Sequence, residues 1–412
     1  MKNSYRSCRG CNSNQFEVLI DLGLSPISNS LLVSAEDAKG EVLLPLCVLV
    51  CLSCGFCQLS EDATPESHFH SEYVYFSSYS KSWLEHCKKY SDSAINEWAI
   101  TPEDLVLEVA SNDGYLLNYF RNAGIAVLGV EPSRNVADVA NANGIPTLVE
   151  FFGVECARNL IRDYQKPKLI IGNNVLAHVP DIRDFVEGLS ILIANNGVIT
   201  LEFPHLTQMI ANNQFDTIYH EHYSYLSLTA LLPIFERFGL RIFRVETLPT
   251  HGGSIRIFAS LQKDRNDVHQ SVTAVLQLEE TLDPRNPEVQ MNFQKASKKV
   301  ILDLKAELKL LCSQSKVVVA FGAAAKGNTL LNAAEIDSSL VKLIADSNPS
   351  KQGKYAPGSH IPIVSIKTFE EVKFDVALIL PWNISSELSS LIRSIHGEKV
   401  KILRAVPQLE YI

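Results

Sequence analysis

No stretch of this sequence is apolar for long enough to cross a bilayer. The longest candidate, VLLPLCVLVCL from Val42 to Leu52, is far shorter than the roughly 20 residues a spanning helix needs, and Pro45 interrupts it. It is expected to be a buried strand instead. The dinucleotide fingerprint G-x-G-x-x-G is also missing, which argues against a nicotinamide-dependent oxidoreductase, because a pyrophosphate needs that glycine turn. Positive charge is scarce: 37 Lys and Arg stand against 46 Asp and Glu, a formal net charge of −9. A nucleic-acid or membrane-surface footprint needs clustered Lys and Arg, so neither partner is expected. The opening MKNSYRSCRGCNSNQ has no apolar core and does not read as a secretory leader. A cytoplasmic location is expected, where thiols stay reduced and cysteines serve as ligands or core residues before disulfides.

What is present suits a soluble, multidomain protein. The 412 residues exceed one typical domain, and 46% hydrophobic content allows a sizeable core. Three regions are expected: a zinc-binding module over 1–72, an α/β domain over 73–262, and a helical bridge with a second, smaller α/β domain over 263–412. In the second region LVLEVASNDG, AVLGVEPS, KLIIGNNVLAHVP and GVITLEFP are strands separated by helical patterns, the signature of a parallel sheet covered on both faces. LRIFRVETL and GGSIRIFAS are expected to form an antiparallel hairpin at its edge. Val289, Phe293, Ala296, Val300, Leu304, Leu308 and Leu311 recur at steps of three or four, an apolar stripe on one long helix. KVVVAFGAAAKGNTLLNAAEI then opens the third region, and KVKILRAV is read as its last strand.

Six of the nine cysteines fall before residue 70, and four of them form two C-x-x-C knuckles, Cys8 with Cys11 and Cys51 with Cys54. Two residues between thiolates let a tight turn aim both sulfurs at one tetrahedral ion, with Gly55 easing the second turn. A structural Zn2+ is expected on these four, leaving Cys47 and Cys57 spare.

The loop LEVASNDGYLL lies where the first central strand meets its helix, the ligand-binding edge of an open α/β sheet. Ala110, Ser111 and Gly114 are small enough for a cofactor to approach the backbone. Glu108 is placed to hold an ammonium group, with Asn112 and Asp113 adding polar contacts. Glu131, 23 residues beyond Glu108, ends the second strand, where an acid accepts from both hydroxyls of a ribose. Buried acid without a phosphate cradle suits a cofactor with an amino-acid tail, S-adenosylmethionine.

FDTIYHEHYSYLS, Phe215 to Ser227, sets His220, Glu221 and His222 among three tyrosines. Acid–base chemistry, buried packing and metal binding are all open to such a trio, although it lacks the H-E-x-x-H spacing of a helical zinc site. In the third region, Gly322 and Gly327 free backbone N–H groups at a helix start and Lys326 adds charge. That combination suits a pyrophosphate or, equally, close helix–sheet packing.

The knuckles, LEVASNDGYLL, NNVLAHVPD, FDTIYHEH, THGGSIRIF and GAAAKGNTLLN follow one another in this order over nearly the whole chain. In that order the chain resembles the S-adenosylmethionine-dependent sugar C-methyltransferases acting on nucleotide-linked 4-keto-6-deoxyhexoses. The resemblance implies an N-terminal zinc module, a central class I Rossmann-like methyltransferase domain and a C-terminal Rossmann-like α/β domain. By the same resemblance His222 is the base, with Glu221, Tyr219, His178 and Tyr73 beside it. Glu108, Ala110, Ser111, Asn112, Gly114, Glu131 and Asn173 are assigned to S-adenosylmethionine. Gly322, Ala324, Ala325, Lys326 and Asn328 are assigned to the substrate nucleotide; the alanines stand where relatives more often have Ser or Thr.

Carbon–carbon bond formation from a sulfonium methyl requires a carbon nucleophile, which a sugar provides only next to a ketone. The site then needs a base, donors for the enolate oxygen and a grip that aligns the carbon. An imidazole suits the first role because its pKa lies near working pH. The expected activity is methylation beside the ketone, at carbon 3, of a nucleotide-diphosphate 4-keto-6-deoxysugar. O- or N-methylation of a related nucleotide-sugar is the alternative. His251 in THGGS is expected to be a hairpin-loop residue, and the protein a monomer.

Overall fold

The computed structural model describes residues 7–34, 36–60, 77–79, 81–264 and 267–412. Strands β1 (Phe16–Pro26), β2 (Leu43–Cys51) and β3 (Cys57–Leu59) pair antiparallel in sequence order. The apolar run around Pro45 is therefore a strand, as expected. Proline is tolerated there because β3 reaches only Val48 to Val50, so the β2 backbone is an open edge at Pro45.

The central sheet takes β4 (Leu105–Val109), β5 (Ala126–Val130), β6 (Thr147–Leu148), β7 (Leu169–Asn173) and β8 (Val198–Pro204). The next strand, β9 (Ser224–Tyr225), leaves this sheet and adds to β3 of the first module. β10 (Leu240–Leu248) and β11 (Ser254–Leu261) complete the order β10-β11-β8-β7-β4-β5-β6, with the hairpin antiparallel at the edge. Alternation assigns the faces. Leu105, Leu107 and Val109 enter one core with the helices Val154–Asp163 and Ile182–Leu192. Val106 enters the other, against the helices Lys81–Glu97 and Leu117–Asn122.

The helix Gln270–Thr281 lies beyond the hairpin, yet Val272 and Val275 pack into the central core. The bridge helix, Pro287–Ser313, instead joins the outer modules. Its Phe293, Val300, Leu304 and Leu308 share one core with β2 and with the third sheet. Each such side chain contributes about 1.5–3 kcal/mol when fully buried. The expected stripe needs two corrections. Ala296 is exposed and Val289 half-buried, while Ser297 is buried in their place. Burial of that serine is satisfied by its hydroxyl, which donates to Asn213 Oδ1 at 2.8 Å.

The third sheet contains β12 (Val318–Phe321), β13 (Ile344–Ala345), β14 (Ile363–Val364), β15 (Val376–Ile379), β16 (Lys401–Arg404) and β17 (Glu410–Tyr411). The order is β14-β13-β12-β15-β16-β17, parallel except for β17. KVKILRAV is thus not the last strand; two further residues turn back along it, too short a run to show as a pattern in sequence. No helix among the described residues is long and apolar enough to cross a membrane.

Candidate active site

The two cysteine knuckles converge. The sulfurs of Cys8, Cys11, Cys51 and Cys54 all lie within 4.8 Å of one another, with Cys8–Cys54 and Cys11–Cys51 both at 3.6 Å. Four thiolates about 2.3 Å from a tetrahedral zinc ion stand roughly 3.8 Å apart, so the donor set fits zinc. Each knuckle is closed by backbone bonds, Asn12 N–H to Cys8 O and Gly55 N–H to Cys51 O, both 2.8 Å. Gly55 has φ 75°, a turn that disfavours a side chain. Cys57 is fully buried with its thiol turned to the Gly55 carbonyl, outside the cluster. A set of four thiolates leaves no open position for substrate, which makes the ion structural.

A cavity of about 570 Å³ runs along the carboxyl edge of the central sheet and out to the third domain. At one end it is lined by Ala110, Asn112, Glu131 and Asn173. Ala110 and Asn112 have φ of 56° and 50°, the left-handed conformation in which glycine is the default residue. Glu131 accepts from the backbone N–H of Asn112 at 3.0 Å and of Ser133 at 2.8 Å, and burial still raises its pKa to about 6. Both polar atoms of the Asn173 side chain are buried without a partner among the described residues. An acid and an unsatisfied amide at a strand edge fit a polar cofactor with a ribose.

Glu108, Ser111 and Gly114 do not line this cavity. Glu108 faces the helix side with Cys87 and Tyr90 as neighbours, and desolvation holds its pKa well above the usual carboxylate range. The assignment of Glu108 to an ammonium group is therefore corrected: strand alternation turns its side chain behind the loop. Ser111 packs so closely on Gly129 that a Cβ there would lie 2.3 Å from its hydroxyl. Gly114, at φ 77°, lies against Ile145. These two shape the loop from behind.

The middle of the cavity is built by FDTIYHEH. Tyr219 to His222 form a turn, closed by the His222 N–H to the Tyr219 carbonyl at 2.9 Å. His222 Nδ1 is 2.9 Å from the Thr217 carbonyl, and its Nε2 is 2.7 Å from the Tyr219 hydroxyl. A carbonyl can only accept, so Nδ1 carries the proton and the Tyr219 hydroxyl donates to Nε2. Desolvation holds the His222 pKa well below the ordinary imidazole value, with the neighbouring His178 adding to the effect. His178 donates from Nδ1 to the Glu221 carbonyl at 2.7 Å, and its ring meets that of His222 edge-on with centroids 4.7 Å apart. Burial lowers its pKa to about 4. Both imidazoles are neutral at physiological pH.

Glu221 does not orient His222. Its carboxylate accepts from Asn29 Nδ2 of the first module at 2.9 and 2.7 Å, and burial raises its pKa to about 7. The orienting bond comes from the Thr217 carbonyl, because a turn sends the side chains of successive residues in unrelated directions. His220 turns away from the cavity toward β2, with Nε2 at 3.3 Å from the Pro45 carbonyl. The turn, not strand alternation, sends this ring away from that of His222. Tyr73 lies outside the described residues.

At the far end the cavity meets the third domain through Ala324, Ala325, Lys326 and Lys351. Lys326, in the first turn of the helix Ala325–Ala333, donates to Asn383 Oδ1 at 2.8 Å and lies over the Trp382 ring. Gly322, Gly327 and Asn328 are not in the wall. A Cβ at Gly322 would sit 2.4 Å from Pro381 and one at Gly327 2.6 Å from Leu380. Both glycines thus serve helix–sheet packing, and the cavity contacts of this loop fall to Ala324, Ala325 and Lys326.

The wall residues that sequence reasoning missed include Asn29, Trp83, Lys351 and Asn174, and it undervalued His251. His251 is in the hairpin loop as expected, but it also lines the cavity, 3.1 Å from Asn174 Nδ2 and beside the Trp83 ring. No local pattern marks Asn29, Trp83 or Lys351. The signal for His251 was its two following glycines.

Comparison with known proteins matches three successive segments of the chain. Residues 8–69 match a putative zinc binding domain, 80–245 a methyltransferase domain, and 249–407 a C-methyltransferase C-terminal domain. The chain is 35% identical over 381 residues to the C-methyltransferase NovU of Streptomyces niveus, covering 92% of this chain and 90% of that protein. Among solved structures, the magnesium protoporphyrin IX methyltransferase of Synechocystis with bound SAH is 16% identical, with a TM-score of 0.34. That match covers 43% of this chain and 82% of the other. An S-adenosylmethionine-dependent methyltransferase from Clostridium acetobutylicum is 13% identical at a TM-score of 0.35, covering 43% and 92%. At such TM-scores the likeness supports no conclusion about this chain.

Proposed function

The chain belongs to the S-adenosylmethionine-dependent sugar C-methyltransferase family, and from that premise we propose that it methylates the carbon beside the ketone of a nucleotide-linked 4-keto-6-deoxyhexose. One observation carries the reading. A single cavity has a ribose-type acid at one end, two neutral imidazoles and a phenol in the middle, and two lysines at the other end. A cofactor nucleoside, a reacting sugar and a diphosphate need those features in that order.

S-adenosylmethionine supplies the methyl group as an electrophilic sulfonium carbon. Glu131, Asn112 and Asn173 would hold it. The substrate C–H beside the ketone becomes nucleophilic on losing its proton, and His222 is the group prepared to take it. Its Nδ1–H is committed to the Thr217 carbonyl, so the free electron pair is on Nε2, reached across the Tyr219 hydroxyl. Desolvation keeps this ring unprotonated, hence available as a base. The Tyr219 hydroxyl is also a donor for the enolate oxygen once substrate displaces it from Nε2. His178, held by the Glu221 carbonyl, limits the space beside the ring. Lys326 and Lys351 supply positive charge for the two phosphates. The protein acts as a monomer in the reducing cytoplasm, which suits its thiolate-bound zinc.

Incubation with methyl-labelled S-adenosylmethionine and a panel of nucleotide-4-ketosugars, followed by NMR of the product, tests this reading. The expected product carries a new C–CH3 bond beside the ketone, and substrate recovered from deuterated water carries deuterium at that carbon. Label on oxygen or nitrogen, with no exchange, would instead show O- or N-methylation of a related sugar.

A further inference from the structure

We propose that the third domain does more than hold the nucleotide: through Trp382 and Thr329 it positions the backbone carbonyl that orients the His222 ring. The inference rests on the reading of His222 as the base.

The Thr217 carbonyl fixes both the tautomer and the direction of His222. Its segment is weakly held from within. Phe215–Thr217 is one short 3-10 turn, and no strand among the described residues pairs with it. The residues on either side of Thr217 are instead held from the third domain. Asp216 Oδ2 accepts from Trp382 Nε1 at 2.7 Å, and the Ile218 carbonyl accepts from the Thr329 hydroxyl at 2.8 Å. Asp216 and Thr329 are at most 1% exposed, so water does not compete for these bonds. Two hydrogen bonds thus bracket the peptide whose carbonyl meets the imidazole.

The bracketing elements have little freedom of their own. Thr329 is one turn from Lys326 on the same helix, and Gly327 of that helix lies against Leu380, two residues before Trp382. The Trp382 ring is also pressed by the hairpin loop, where a Cβ at Gly252 would lie 2.3 Å from it. Gln214 Nε2 donates to the Gly252 carbonyl at 2.6 Å, which closes the ring of contacts around the segment. The element that presents Lys326 to the diphosphate is therefore the element that sets the imidazole.

Thr329→Val removes the hydroxyl at nearly constant volume, and Trp382→Phe removes the indole N–H while keeping an aromatic ring. In the full-length protein, both are expected to lower kcat and solvent deuterium exchange about 10- to 100-fold. KM for the nucleotide-sugar and affinity for S-adenosylmethionine should stay within about twofold of wild type. Thr329→Ser restores the hydroxyl and should restore kcat, which a purely structural defect in packing would not do. Lys326→Ala provides the contrast, raising KM more than it lowers kcat. Unchanged kcat in Thr329→Val and Trp382→Phe would overturn the proposal. So would equal losses in kcat, KM and thermal stability that Thr329→Ser does not reverse. His222→Asn separates the two readings: if it keeps normal exchange, the base assignment itself is wrong. If it abolishes exchange while Thr329→Val leaves kcat intact, only the positioning role falls.

Discussion

The side-chain amide of Asn29 donates to both carboxylate oxygens of Glu221, joining the zinc-binding module directly to the Tyr219–His222 turn across 192 residues of sequence. Glu221 is buried, with a pKa raised to about 7, and Asn29 is the main group opposing that rise. A raised carboxyl pKa means the group is protonated below about pH 7 and charged above it. If its charge supports the imidazolium formed during catalysis, kcat rises as pH increases through 7. Glu221→Gln should abolish that rise while costing less rate than loss of the base. A pH–rate profile of the variant that still climbs through 7 assigns the titration to another group.

His222→Asn should leave both ligands bound and lower turnover by about 10²–10⁴, the usual range for a general base. His220→Asn should leave the rate nearly intact and act on stability, because that ring faces the Pro45 carbonyl and not the cavity. Rate and deuterium-exchange measurements on the two single variants decide it. Exchange lost only in the His220 variant would reverse the assignment.

Glu131 has a pKa raised to about 6 by burial, and in its proposed ribose-binding role the carboxylate is the form that accepts. Protonation therefore sets in as pH falls through 6, and affinity for S-adenosylmethionine should drop about tenfold between pH 7 and pH 5. Glu131→Gln should bind more weakly at pH 7, by about 1.5–3 kcal/mol, and lose the pH dependence. Calorimetry at three pH values measures both. A wild-type affinity flat from pH 7 to 5 would contradict the role of the carboxylate.

One zinc ion per chain is expected on Cys8, Cys11, Cys51 and Cys54, and Cys11→Ser should lower the metal content and the melting temperature together. Cys57→Ala should retain the metal, since its thiol faces the Gly55 carbonyl. Elemental analysis of purified protein reads the stoichiometry. Metal lost in the Cys57 variant and kept in the Cys11 variant would mean the ligand set is wrong.

The knuckles, the strand–helix alternation and Glu131 were legible in the sequence because each depends on spacing along a few residues. Two thiols separated by two residues share a turn wherever the chain goes, and an acid closing a buried strand reaches the sheet edge by strand geometry alone. The helix of the third domain was legible for the same reason. Its glycines were read in part as a phosphate cradle, but only the packed structure shows Pro381 and Leu380 occupying the space beside them.

Sequence alone thus determined the three-part architecture and the four thiols that converge, while for the FDTIYHEH stretch it left acid–base chemistry, packing and metal binding open. Tertiary structure decided what each group in that stretch faces. Adjacency made Glu221 look like the partner of His222, yet a turn gives the ring to the Thr217 carbonyl and the carboxylate to Asn29. Trp382 meets Asp216 across 166 residues, and Thr329 meets Ile218 across 111. Such contacts have no signature in spacing, because they arise only when separate domains bury a shared core. The physical reason is that periodicity encodes which face of an element is apolar, whereas partners across an interface are set by how the finished elements pack.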